Sequence, residues 1–173
     1  MSILRIHLLG DFRLLWGDDL LTAFYHPRQQ ALLAFLLLHR HAPQSRRHLA
    51  FTFWADSSEE QAHSNLRNLL FKVRRALPAP DRFLAITAQT VQWRLDAPYW
   101  LDVAEFEAAS AGASTITELE RAFALYAGEL MPSCYDDWLR PERERLRQMA
   151  VPLLQRQVEL LEVARAWRAA IVQ

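Results

Sequence analysis

Residues Ser2–Leu9 alternate, with Ile3, Arg5, His7 and Leu9 on one face and Leu4, Ile6 and Leu8 on the other, the two-residue period of a β-strand. Phe12–Trp16 reads as a second strand, Gly17-Asp18-Asp19 as a tight turn, and Leu20–Phe24 as a third strand, so the chain opens as a small antiparallel meander. The period then changes. Pro27 suits the first turn of a helix, and Arg28–Arg40, rich in Ala and Leu without Gly, predicts a largely buried one. His41-Ala42-Pro43 ends it. Ser45 is a good cap for a second helix over Arg46–Trp54, with Leu49 and Phe53 inward. A long third helix, Glu59–Leu77, follows, and Ser57 with Glu60 three residues on has the form of its capping box. Beyond Pro78-Ala79-Pro80, Phe83–Thr87 and Thr90–Leu95 predict a hairpin turning at Ala88-Gln89. After Ala97-Pro98 the pattern is helical. Asp102 is expected to cap Val103–Ala109, Thr115 or Thr117 a helix to about Leu130, and Asp136 or Asp137 a stretch running towards Ala164, which Pro141 and Pro152 could interrupt.

Composition bounds the function. Over 173 residues the net charge is zero, yet Met1–Leu95 carries a net +5, with all six histidines, and Asp96–Gln173 a net −5. A basic half can meet a polyanion that an acidic half would repel. The longest apolar run, Ala31–Leu38, falls far short of the ~20 residues that span a bilayer. No signal peptide is legible, and the single Cys134 forms no internal disulfide, so a cytoplasmic protein without membrane association is expected. Catalysis is not: four glycines build no phosphate loop. His39, His41 and His48 lack a completing ligand set, so neither metal nor cofactor is expected.

The candidate chemistry lies on the third helix. At 3.6 residues per turn, Ala62, Leu66, Leu69, Leu70, Val73 and Leu77 gather within roughly a third of its circumference. The opposite face carries Ser64, Arg67, Asn68, Phe71, Lys72 and Arg75, with Arg74 at its edge. Arg and Asn make bidentate contacts to guanine and adenine edges, while Lys and Arg also bind phosphate. A basic helix face is ordinarily only solvated. Phe71 changes that reading, because an outward Phe is costly in water and points to a partner, such as a thymine methyl group or a protein surface. Strands, two helices, a long helix and a hairpin, in that order, make a winged helix, whose last helix reads the major groove. A competing reading is a helical protein-interaction module of a larger signalling protein, without autonomous DNA binding. Tyr135, Trp138 and Trp167 would be its exposed aromatics, although such residues more often pack between helices.

The run LLAFLLLHRHAPQSRRHLAFTFWADSSEEQAHSNLRNLLFKVRRAL, Leu32–Leu77, resembles the OmpR-type winged helix of the SARP family of activators, and LRIHLLGDFRL resembles that family's first strands. Downstream, YWLDVAEFEAA and ALYAGELMPSCYDDWLRPERERLRQMAVPLLQRQVELL look like its partner, the bacterial transcriptional activator domain. The resemblance implies an α+β N-terminal winged helix-turn-helix over residues 1–96, followed by an all-α tetratricopeptide-like helical domain over 97–173. It also implies a fragment of a longer protein. The implied function is sequence-specific binding of double-stranded DNA, often at direct repeats by a homodimer, with recruitment of RNA polymerase. Ser64, Arg67, Asn68 and Phe71 would face bases. Lys72, Arg74 and Arg75, with Ser45, Arg46 and Arg47 at the second helix, would meet phosphates. Two departures stand out. The family's wing usually closes on Gly-Tyr, whereas here it reads Thr90-Val91-Gln92-Trp93, a shorter or differently bent wing in which a minor-groove role would fall to Gln89, and Phe71 stands where a more polar residue is common.

Overall fold

The computed structural model describes the backbone of residues 2–171 and the side chains of residues 2–163. The chain divides into two compact units. Of the described residues, 2–5 with Arg13–Tyr99 form one, and Ile6–Phe12 with residues 100–171 the other. The division passes through strand β1, Leu4–His7. The first strands are ordered β3-β2-β1-β7, with β2 at Arg13–Trp16, β3 at Asp19–Leu20 and β7 at Tyr99–Leu101.

In the first unit β2 pairs antiparallel with β3 in the register Leu15↔Leu20 and Trp16↔Asp19. Gly17 supplies the left-handed turn between them at φ 64°. The predicted third strand, Leu20–Phe24, is cut short: β3 ends at Leu20, and Phe24 leaves the ladder to become core. Helix α1, Pro27–Leu38, has every residue from Ala31 to Leu38 buried, as a helix enclosed on all sides must. Strand β4, Gln44–Ser45, precedes α2, Arg46–Phe53, whose cap is Ser45. Helix α3, Glu59–Ala76, starts where expected and is capped by Ser58, whose hydroxyl accepts the Gln61 N–H; the box expected from Ser57 and Glu60 does not form, because the capping residue is Ser58. The six apolar positions of its wheel, Ala62 to Leu77, are all buried, against α1 and α2. The short α4, Pro80–Phe83, leads into β5, Leu84–Ile86, and β6, Thr90–Trp93. These form a second sheet, ordered β4-β6-β5. Strand β4 went unread in the sequence because two residues carry no period.

The second unit packs α5, Asp102–Gly112, α6, Ile116–Leu125, and α7, Leu139–Ile171, against one another. Of the two candidate caps, Thr115 starts α6, in a full capping box with Glu118. That helix stops at Leu125, short of Leu130. Helix α7 runs through Pro152 without a break; this proline is exposed, where its ring meets solvent rather than packing. Asp102 is not the cap expected of it: Leu101 is the N-cap, without a side-chain cap bond, and Asp102 is the first residue of α5. It is buried, and its carboxylate accepts the backbone N–H groups of Leu8 and Leu9, both at 2.8 Å, and of Val103 at 2.7 Å. Leu130 bridges to Leu9 and Gly10, so residues from the start of the chain complete this unit. Tyr135 is exposed, Trp138 is half-buried with its indole N–H donating to Asp136, and the side chain of Trp167 lies outside the described residues. Among the described residues no helix is long and apolar enough to cross a membrane.

Candidate nucleic-acid interface

Helix α3 buries one face and exposes the other as its wheel demands. Arg67, Asn68, Phe71, Lys72, Arg74 and Arg75 are exposed, and Ser64 is half-buried. Phe71 is 61% exposed, with the Arg75 guanidinium 5.7 Å from its ring centre. That contact keeps the ring partly covered on one side and holds a cation over it. Glu59 and Glu60 in the first turn and Arg74 and Arg75 in the last complement the helix dipole.

Five of the expected site residues meet in one open cleft of about 670 Å³, lined by Ser45, Arg46, Arg47, His63, Arg67, Ala88 and Gln89. Three elements build it. The Ser45 hydroxyl accepts the His48 N–H at 3.4 Å and starts α2 there. The Arg46 N–H donates to the Gln89 carbonyl at 2.8 Å and its guanidinium to the Thr87 carbonyl at 3.2 Å, which ties the head of α2 to the hairpin tip. The tip is the two-residue turn expected at Ala88-Gln89: Thr87 and Thr90 are hydrogen-bonded across it, and the Thr87 hydroxyl accepts the N–H groups of Gln89 and Thr90. The threonine hydroxyl bonds the backbone of the turn and so fixes where Gln89 stands. Arg47 lies 3.3 Å from Glu59, but both side chains are more than half exposed, so the pair is weak and a phosphate can replace the carboxylate. His63 was not anticipated; it lies one helical turn before Arg67, at 3.8 Å from Glu59.

The other expected residues do not reach that cleft. Phe71, Lys72 and Arg75 line a second one with Tyr25 and His26. Asn68 lies with Lys72, His26 and Arg28 in a third. Ser64 lines none of these. Arg74 is turned to Asp81, 2.8 Å away, a partner supplied by the short helix after the prolines. His39 stacks on Phe35 and bonds its carbonyl. Among the described residues no group of three or more His, Cys, Asp or Glu is placed to hold a metal ion.

The class these elements define is a mixed α/β chain, small sheets with packed helices. No family model matches it, and no curated protein sequence does. Among solved structures it is similar to EmbR of Mycobacterium tuberculosis, determined in complex with a low-affinity phosphopeptide, at a TM-score of 0.76 and 20% identity. The match covers 99% of this chain and 48% of EmbR, so the chain spans about half of that protein's length. The likeness is one of fold.

Proposed function

We propose that this protein is a DNA-binding transcriptional activator of the SARP type. In this reading α2 and α3 are a helix-turn-helix, the β5–β6 hairpin is its wing, and α3 lies in the major groove of duplex DNA. Arg67, Asn68, Phe71 and Ser64 read base edges. Ser45, Arg46, Arg47, Lys72 and Arg75 hold phosphates, and Gln89 approaches the backbone from the wing. The observation that carries the reading is the cleft in which Ser45, Arg46 and Arg47 of the α2 head, Arg67 of α3 and Gln89 of the hairpin come together. Three elements distant in sequence converge on one cationic concavity beside an exposed Arg/Asn face, and a polyanion with a groove fits both. Arg74, expected among the phosphate contacts, stands apart from this set, because a phosphate would have to displace Asp81.

The functional division follows the chain near residue 96, with DNA binding before it and an activator domain after it that contacts RNA polymerase or a second copy on direct repeats. The protein works in the cytoplasm and catalyses no reaction. The test is selection of bound duplexes from a random pool by the full chain, followed by titration at several salt concentrations. The full chain is required because a fragment ending at residue 96 would lose Asp102 and orphan the Leu8 and Leu9 N–H groups. An enriched sequence whose affinity falls steeply with salt is expected. Failure to enrich any sequence, with no salt-dependent affinity for the pool, would overturn the reading.

A further inference from the structure

We infer a second backbone grip on the far side of α3, in which Tyr25 and His26, ahead of α1, and Arg28, in its first turn, contact the DNA strand opposite the one held by Ser45, Arg46 and Arg47. The inference rests on the reading that α3 enters the major groove. A groove about 12 Å wide admits one helix and leaves a phosphate wall on each side of it. Whatever flanks the helix in the protein therefore faces those walls.

Helix α3 is flanked on both edges. At about 100° per residue, Arg67 and Lys72 point roughly 140° apart around its axis. The Arg67 edge meets the α2 head and the hairpin tip. The Lys72 edge meets Tyr25, His26 and Arg28, with Phe71 and Arg75 beside them. The chemistry of that second edge suits phosphate oxygen. Tyr25 is 81% exposed and its phenol can donate a hydrogen bond. The Nδ1 atom of His26 accepts the Arg28 N–H at 3.3 Å and so caps α1. A neutral ring that accepts at Nδ1 carries its proton on Nε2, which makes that N–H a donor. Arg28 is half-buried at the same edge, its guanidinium 6.0 Å from the centre of the Phe53 ring. Neutral and charged donors thus converge there with Lys72, as they do around Arg67 on the other edge.

Phosphate neutralisation tests this directly. Single methylphosphonates are placed along each strand of the duplex recovered by selection, and binding of the full chain is titrated. The wild type is expected to lose affinity at positions on both strands flanking the bound groove. The variant Tyr25→Phe with His26→Asn keeps the Tyr25 ring and, through the Asn side-chain oxygen, the helix cap, but removes the phenol O–H and replaces the imidazole Nε2–H by a shorter amide held at the cap. It should bind every duplex roughly tenfold more weakly with unchanged thermal unfolding. It should also become insensitive to neutralisation on one strand only, while Arg46→Ala with Arg47→Ala becomes insensitive on the other. Wild-type sensitivity confined to one strand, or a Tyr25/His26 variant that keeps full sensitivity on both, overturns the inference and leaves this edge to a protein partner. A wild type that binds no duplex overturns the DNA reading as well.

Discussion

Helices α3 and α7 both line their exposed faces with arginine, but they use it in opposite ways. On α7, Arg140 pairs with Asp137 at 3.1 Å, Arg145 with Glu107 at 2.8 Å and Glu142 at 3.0 Å, and Arg156 with Glu159 at 3.8 Å. Arg143 donates to the carbonyls of Leu130, Met131 and Cys134, closing the turn that precedes the helix. On α3, Arg67, Lys72 and Arg75 make no ion pair among the described residues. Four of the described α7 arginines thus find acceptors within the chain, whereas α3 leaves Arg67, Lys72 and Arg75 on a face bordered by further donors. Charge count alone does not separate the two uses; the number of acceptors within reach does.

The contrast breaks most severely at Asp102. Its carboxylate is the shared acceptor for three backbone N–H groups, two of them from Leu8 and Leu9. Asp102→Ala should leave those buried donors without it and cost about 3–4 kcal/mol, read as a lower denaturant midpoint in equilibrium unfolding. Asp102→Asn, which keeps one oxygen, should cost less. A near-neutral Asp102→Ala would mean that the helical unit does not depend on this internal acceptor.

On α3 the same truncation should act on binding and not on stability. Arg67→Ala is expected to leave the unfolding midpoint unchanged, relax preference at one base position and weaken DNA binding by about 1–3 kcal/mol. Arg75→Ala should have a smaller and more uniform effect, weakening every duplex alike and flattening the salt slope by about one. If the two variants behave identically on all probes, the division of this face into base-reading and phosphate-holding positions is wrong.

Much of this was legible in advance, for a local reason. The wheel of α3, the Ser45 cap and the Ala88-Gln89 turn depend on residues within a few positions of one another, and their residue types declare them. What escaped was set by distant partners. Asp102 reads as a simple cap until Leu8 and Leu9 arrive, Arg74 reads as a phosphate ligand until Asp81 meets it, and Gln44 and Ser45 read as loop until β6 pairs with them. The site behaves in the same way: Arg67 and Lys72 are both plain on the wheel, but that each borders a different cleft depends on where the hairpin and the segment before α1 fold back.

The smallest expected effect also belongs to the acceptor-rich half. Glu118 is exposed, yet the backbone N–H of Ser114, then that of Thr115, and the hydroxyls of both hold its carboxyl at about 2, below the ordinary 4.5. The distances agree, with one carboxylate oxygen 3.0 Å from each N–H. A folded-state value below the unfolded one means that ionised Glu118 favours the folded cap. Its contribution is complete above about 4.5 and disappears as pH falls through about 2. The start of α6 should therefore stay capped through mild acid and fray only in strong acid. A carboxyl titration followed by NMR at Glu118, with the Ser114 and Thr115 amides as reporters, should give a midpoint near 2, and Glu118→Gln should abolish the amide response. A midpoint at the ordinary carboxylate value would show that this box is not held in solution, and would weaken the contrast between a half that consumes its charges internally and one that presents them.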